Sequence, residues 1–248
     1  MRYFTRITFG VFAVTWVLSG LLSMNPLDLN PSRRPQSEQA LLFCGIALTP
    51  SAFELPAGGF GPAALEAELI HYDSQPFYRV TQRDGTVRLV SGNSLALRPP
   101  EAQSLQRRAA LLLPSARVAA IQWLAAFDDY YYTRHPERGD KPLPILRVKF
   151  ADEQRTWFHI NPITGQVTER ITATNRVYRW LYNGLHSWDI RWLWERRPLW
   201  DLCVIGFSLG GLALSVLGVV IGVRRLREAA ARNRSLRPAF IRHYPRNR

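Results

Sequence analysis

The chain has 248 residues, 47 % of them hydrophobic, and a formal charge of +13 at pH 7. That hydrophobic share excludes a disordered polyelectrolyte, and two cysteines exclude a disulfide-stapled scaffold. The positive charge invites a nucleic-acid reading, but no base-reading motif accompanies it, and its uneven placement points to a membrane instead.

Residues 1–6 carry Arg2 and Arg6 and are expected on the cytoplasmic side. The uncharged run Ile7–Met24 has 18 residues. As a helix it would be about 27 Å long, enough to span with snorkelling flanks. A cleaved signal peptide is the competing reading. The run is longer than a usual h-region, and Asn25-Pro26-Leu27-Asp28 follows without a small-x-small site, so an uncleaved first transmembrane helix is expected over 7–24.

Residues 25–60 are rich in Pro, Gly and Ser and read as an irregular linker. A first unit is expected over 61–100. Pro62 to His71 reads as a short helix with Leu65 and Leu69 on one face. Phe77 to Val90 alternates, with Tyr78 and Val80 before Asp84-Gly85 and Val87 and Leu89 after it, the pattern of a hairpin closed by a type I′ turn.

A second unit is expected over 101–178. Ser115 to about Tyr131 reads as a helix capped by Ser115, its apolar face made by Val118, Ile121, Leu124 and Phe127. Leu146, Val148 and Phe150 alternate with Arg147 and Lys149 on a strand. Asp152-Glu153 turns into a second strand over Thr156 to Ile160, and Asn161-Pro162-Ile163-Thr164-Gly165 turns into a third over Gln166 to Ile171. The theme helix–strand–strand occurs twice, which predicts an α+β fold with antiparallel sheet between two transmembrane helices.

Residues 179–200 form an interfacial segment holding five of the eight tryptophans: Trp180, Trp188, Trp192, Trp194 and Trp200. Indole favours the headgroup layer. Leu202 to Val223 then runs 22 residues without a charge, about 33 Å as helix against a bilayer core of ~30 Å. A second transmembrane helix is therefore expected over 201–223. Trp188, Trp192, Trp194 and Trp200 on one side, and Arg224 and Arg225 on the other, would anchor it. The tail 224–248 carries nine arginines and one glutamate, whereas 25–198 is only +4 over 174 residues. The positive-inside rule puts both termini in the cytoplasm and 25–198 outside, the periplasm of a bacterium with this chain in its inner membrane. Anionic lipid explains the tail without nucleic acid.

Gly206 and Gly210, and Gly218 and Gly222, are GxxxG pairs on nearly one helical stripe, suited to close helix packing. Packing between the chain's own two helices is the simplest use, with a second copy or a partner membrane helix as the others.

Patterns that carry chemistry are few. His71, His135, His159 and His186 are scattered, and none pairs at i+3 or i+4; His159 reads as a half-buried strand residue. Asp128-Asp129 precede three tyrosines, but neighbours on a helix diverge by about 100° and do not converge on one proton. The tyrosines are expected to pack on the sheet, with the aspartates bonding turn N–H groups or facing water. Cys44 reads as a small buried hydrophobe and Cys203 as a membrane residue that does not meet it. No catalytic triad, phosphate loop or dinucleotide fingerprint appears. No catalytic residue, metal site or cofactor is expected.

LPILRVKF, RTWFHINPITGQVTERI and RWLYNGLHSWD ahead of a glycine-rich helix together resemble the PepSY domain and its associated transmembrane helix, and TWVLSGLLSMNP in the first apolar run fits the same family. The likeness covers nearly the whole chain. Asn161 stands where an aspartate is common, which leaves the turn intact because Asn also caps and tolerates αL. Relatives often carry a Trp-His-His region and more protein ahead of the first helix. The resemblance implies a non-enzymatic, membrane-held binding or regulatory module, for PepSY domains resemble inhibitory propeptide modules of secreted metallopeptidases. Anchored relatives are linked with siderophore and iron uptake, so an accessory role there is the implied setting, with a periplasmic protein or peptide as partner. Some relatives are reductases, which makes a haem-carrying subunit the alternative, with His186 as ligand. Neither span holds a histidine to face it, so this chain would supply one axial ligand where haem between helices commonly takes two.

Overall fold

The computed structural model describes residues 2–46, 48–133, 135, 139 and 141–235. Helix α1 (Arg2–Leu21) opens the chain, followed by α2 (Ser37–Cys44). Three strands come next: β1 (Ala64–Tyr72), β2 (Gln75–Gln82) and β3 (Val87–Ser91). Then come α3 (Ala102–Ala109), β4 (Val118–Leu124), β5 (Ile145–Phe150), β6 (Trp157–Ile160), β7 (Val167–Ile171) and α4 (Ala173–Tyr178). A π-helical turn, Arg179–Gly184, leads to α5 (Leu185–Ser187), α6 (Arg191–Trp194) and α7 (Arg197–Ser235). The fold is α+β, with two antiparallel sheets in the orders β1-β2-β3 and β4-β5-β6-β7. Contacts divide the described residues into two compact units, one within 22–183 and one made of those within 2–21 and 184–235.

In the first of these units one core serves both sheets. Leu146, Val148 and Phe150 of β5 and Phe158 and Ile160 of β6 meet Phe77 of β2 and Leu89 of β3, and α2 and α3 add Phe43, Leu105 and Ala109. The opposite face of the first sheet, Tyr78, Val80 and Val90, is covered by Phe53 and Phe60. The expected linker therefore contains α2, and its Phe43 is fully buried with Cys44 packed beside it.

Two expected helices are strands. From Ala64 on, the expected helix over 62–71 is β1, because Leu65 and Leu69 are four apart, a spacing that fits a strand of period 2 as well as a helix. Pairing along β2 from Ala64 to Tyr72 decides for the strand. Residues 115–131 hold β4 and then a loop. The three-residue spacing of Val118, Ile121 and Leu124 suggests a helix, but β4 completes a ladder with β5 and strand pairing overrides it.

The turns move with these changes. A two-residue turn with both residues at positive φ is Asp73-Ser74, between β1 and β2. It is tied down from outside: Ser74 N donates to Cys44 O, and Asp73 pairs with Arg108. Arg108 Nε also donates to Phe43 O at 2.5 Å and Nη2 to Leu42 O at 3.2 Å, satisfying the end of α2. At Asp84-Gly85 only Gly85 takes positive φ, and Gln82 N bonds Thr86 O, so the loop is three residues long with Asp84 Oδ1 accepting from Thr86 N.

The second unit centres on α7, the helix among the described residues that is long and apolar enough to cross a membrane; none of its most apolar window is buried. It extends beyond the expected 201–223 at both ends. The apolar stretch of the first helix, Gly10–Met24, is shorter. Phe12 of α1 stacks on Phe207 of α7 at 4.4 Å, and Trp188 stacks on the same ring at 4.8 Å.

Phe158→Ala should cost about 3–5 kcal/mol, because the site is enclosed on all sides. Leu65→Ala, on an exposed stretch of β1, should stay within about 0.5 kcal/mol. Denaturant unfolding followed by tryptophan fluorescence compares the two.

Candidate functional site

Strand alternation sends Leu146, Val148 and Phe150 into the core and turns Arg147 and Lys149 to the other face of the sheet. The register then aligns a row across three strands: Arg147 opposite His159, and His159 opposite Glu169. All three are buried, and His159 is 0 % exposed rather than half-buried as expected.

Arg147 is the hub of the row. Its Nη1 and Nη2 donate to the two carboxylate oxygens of Asp128 at 2.5 and 2.9 Å, and its Nε donates to His159 Nε2 at 2.8 Å. Its guanidinium carbon lies 4.8 Å from the centre of the Trp157 ring. Lys149 and Arg176 approach the same ring at 4.5 and 4.3 Å, and the Tyr130 ring stands perpendicular to it at 5.3 Å between centroids.

Asp128 is thus in a loop, not on a helix beside Asp129. It also accepts from Tyr130 N and Tyr131 N, so the expected bonds to turn N–H groups form at this aspartate. Burial opposes its charge, but the Arg147 hydrogen bonds and the two amides outweigh it and bring its pKa down to about 2. Glu169 ends the row. Lys141 Nζ lies 3.1 and 3.2 Å from its two oxygens, Arg33 Nη1 3.4 Å from one, and His159 Nδ1 3.4 Å from the other. Burial again works against ionisation, and His159, Lys141 and Arg33 together hold its pKa at about 2.

This geometry sets the imidazole's state. Nε2 receives a hydrogen bond from a guanidinium, so the proton of the neutral ring sits on Nδ1, facing Glu169. Burial lowers the His159 pKa, and of its charged neighbours Glu169 acts in the opposite sense while Arg147 and Lys141 add to the lowering. A Glu–His pair of this kind could serve a nucleophile, but here the base nitrogen is capped by Arg147, so the arrangement holds charge in place instead of moving a proton.

Beside Glu169 the sheet borders a cavity of about 320 Å³ lined by Ser32, Arg33, Arg34, Tyr131, Lys141, Thr168 and Glu169. The strap that brings Arg33 there is held along β7: Arg170 N donates to Arg33 O at 2.6 Å, and Asn175 Nδ2 donates to Pro31 O at 2.9 Å. Thr172 and Asn175 cap α4 reciprocally, which fixes that asparagine. Three cations and one carboxylate make the cavity net positive, which suits an anionic group.

The other expected positions lie apart from this row. His71 is on β1 and His135 in the loop after β4. His186 belongs to the second unit, where its Nδ1 lies 3.2 Å from Ser19 Oγ and 3.3 Å from Trp16 O, while Trp16 Nε1 donates to His186 O at 3.1 Å. It ties α5 to α1. Among the described residues nothing lies within 4 Å of a side chain added at Gly206, Gly218 or Gly222, whereas Gly211 lies near the Trp16 ring; α1 meets α7 beside the glycine stripe. Trp200 Nε1 donates to Trp188 O, Arg196 stacks on an exposed Trp192, and Arg224 and Arg225 are exposed on α7. The Trp194 side chain and the tail from residue 236 lie outside the described residues. Cys44 and Cys203 are free thiols, and among the described residues no group of three His, Cys, Asp or Glu could hold a metal. The turn at Asn161 forms, with Asn161 Oδ1 accepting from Ile163 N and Gly165 at positive φ against the Tyr72 ring.

Sequence reasoning missed the row itself. Its signal was present in the polar positions 147, 159 and 169 of three adjacent strands, but seeing it requires the register. No family model, curated protein or solved structure matches the chain.

Two predictions concern charge. An unfolded histidine takes a proton near pH ~6.5, and the folded chain resists it. Stability should therefore begin to fall as pH drops below that value. It should fall further below pH 4.5 and 3.8, the ordinary values from which Glu169 and Asp128 are depressed. Thermal melts from pH 8 to 3 read both stages. Arg147→Met should cost about 3 kcal/mol by leaving Asp128 unpaired, and should raise the pH at which His159 titrates in an NMR titration.

Proposed function

We propose that this chain is a membrane-held binding protein of PepSY type that presents the α+β unit to a protein or peptide partner bearing an acidic group. The observation that carries this reading is the join, in one chain, of a helix suited to lipid along Leu202–Val223 and a sheet unit with a net-positive cavity at Arg33, Arg34 and Lys141. Its buried titratable groups neutralise one another, which favours recognition over catalysis.

In this reading α1 is a second span, both termini are cytoplasmic and residues 25–198 lie in the periplasm of a bacterial inner membrane. The partner would belong to siderophore or iron uptake or to peptidase regulation. The alternative is a haem-carrying subunit, in which His186 would ligate through Nε2 while its Nδ1 faces Ser19 and Trp16.

A photocrosslinking amino acid in place of exposed Arg34, in the full chain in native membranes, tests the reading. A defined protein or peptide adduct is expected, lost when Lys141 is changed to Glu in the same chain. Adducts that are absent, or indifferent to that reversal, would remove the cavity as the binding site.

A further inference from the structure

The two sheets have four edges, and three are managed. Along β3, Ser91 N donates to Ala96 O and Arg98 N to Leu89 O, so the following segment covers it. Along β7, Arg170 N is taken by Arg33 O. The outer edge of β1 carries Glu66 and Glu68, and a second β1 laid antiparallel over its full length would set Glu68 against itself. Like charges directly opposite are unfavourable.

The edge of β4 differs. Its seven residues, VAAIQWL, carry no charge and no proline, and among the described residues no backbone hydrogen bond from outside the sheet reaches it. Ile121 and Trp123 face the same side as their partners Val148 and Leu146, which are fully buried, yet they are themselves 37 % and 46 % exposed. The core-facing side of the sheet thus continues into an open apolar rim. Long, uncharged, apolar edges are what soluble sheets avoid unless another strand is to be added.

We propose that β4 is the interface for a second copy of this chain, joining antiparallel across a two-fold axis into a continuous eight-stranded sheet. The strand is complementary to itself. Its regular ladder with β5 runs from Ala120 to Leu124, beyond an irregularity at Val118–Ala120. Pairing all five positions antiparallel centres the axis on Gln122. Ala120 then faces Leu124, and Ile121 faces Trp123. That is a β-branched–aromatic pair formed twice, covering both exposed side chains. An isologous contact of this kind closes on itself and leaves no further free β4.

Cysteine scanning in the full chain, with Cys44→Ala and Cys203→Ala as background, tests the register. Residues directly opposite in a ladder have Cβ atoms about 4.5–5.5 Å apart, close to disulfide range. Gln122→Cys should give a disulfide dimer on mild oxidation, whereas Ile121→Cys should link only to a co-expressed Trp123→Cys chain. Ile121→Lys, at an exposed position, should keep the circular dichroism of the parent and turn the detergent-solubilised dimer into a monomer. A parent that is monomeric, a dimer that survives Ile121→Lys, or a position 122 that links to a different protein would each overturn the proposal.

Discussion

The sheet unit is organised around the buried guanidinium of Arg147. A charge out of water is unfavourable unless every donor finds an acceptor and an opposite charge is near. Arg147 meets this by forking onto Asp128, donating to His159 and lying over the face of Trp157. Each contact constrains something else. The fork fixes the loop after β4 on the sheet, the bond to His159 sets its tautomer, and that tautomer directs a proton at Glu169. Glu169 in turn gathers Lys141 and Arg33 from two other segments. Loss of the arginine would leave a carboxylate, an imidazole and an indole without their shared partner.

The row works because the sheet beneath it is packed. Val148 and Phe158 on the core face hold β5 and β6 in the register that sets Arg147 opposite His159. Apolar packing positions the strands, and the polar row joins to them three segments that the core does not reach. Arg108 has a smaller role of the same kind: it closes the C-terminal carbonyls of α2 and holds the Asp73-Ser74 turn through Asp73. Two positive φ values at residues with Cβ atoms are tolerated there because the surroundings over-determine the turn.

The other unit holds a helix compatible with a different solvent. Along the uncharged stretch of α7 the exposed large side chains are Leu, Ile and Val, which suits lipid, where apolar exposure carries no penalty and the backbone must bond within the helix. The aromatic stack of Phe12, Phe207 and Trp188, with the tether from His186 to Ser19, joins α1 to the chain around α7. Among the described residues nothing lies against Gly206, Gly218 or Gly222 beside that contact.

The sequence by itself determined the apolar helix near the C-terminus, the hairpin of β2 and β3, and the run from β5 to β7 with its turns. Each rests on a local pattern: an uninterrupted apolar run, period-2 alternation, or a turn residue that only certain backbones accept. It did not determine β1 or β4. In β1 the four-residue spacing of Leu65 and Leu69 fits helix and strand alike, and in β4 the three-residue spacing of Val118, Ile121 and Leu124 favours the wrong one. Pairing with a partner strand resolved both, β2 just past the Asp73-Ser74 turn for β1 and β5 for β4. The candidate site was legible only in pieces. Asp128, Arg147, His159 and Glu169 were visible as polar residues, yet their meeting depends on register across three strands and on a loop folded back over them, and no local pattern encodes that.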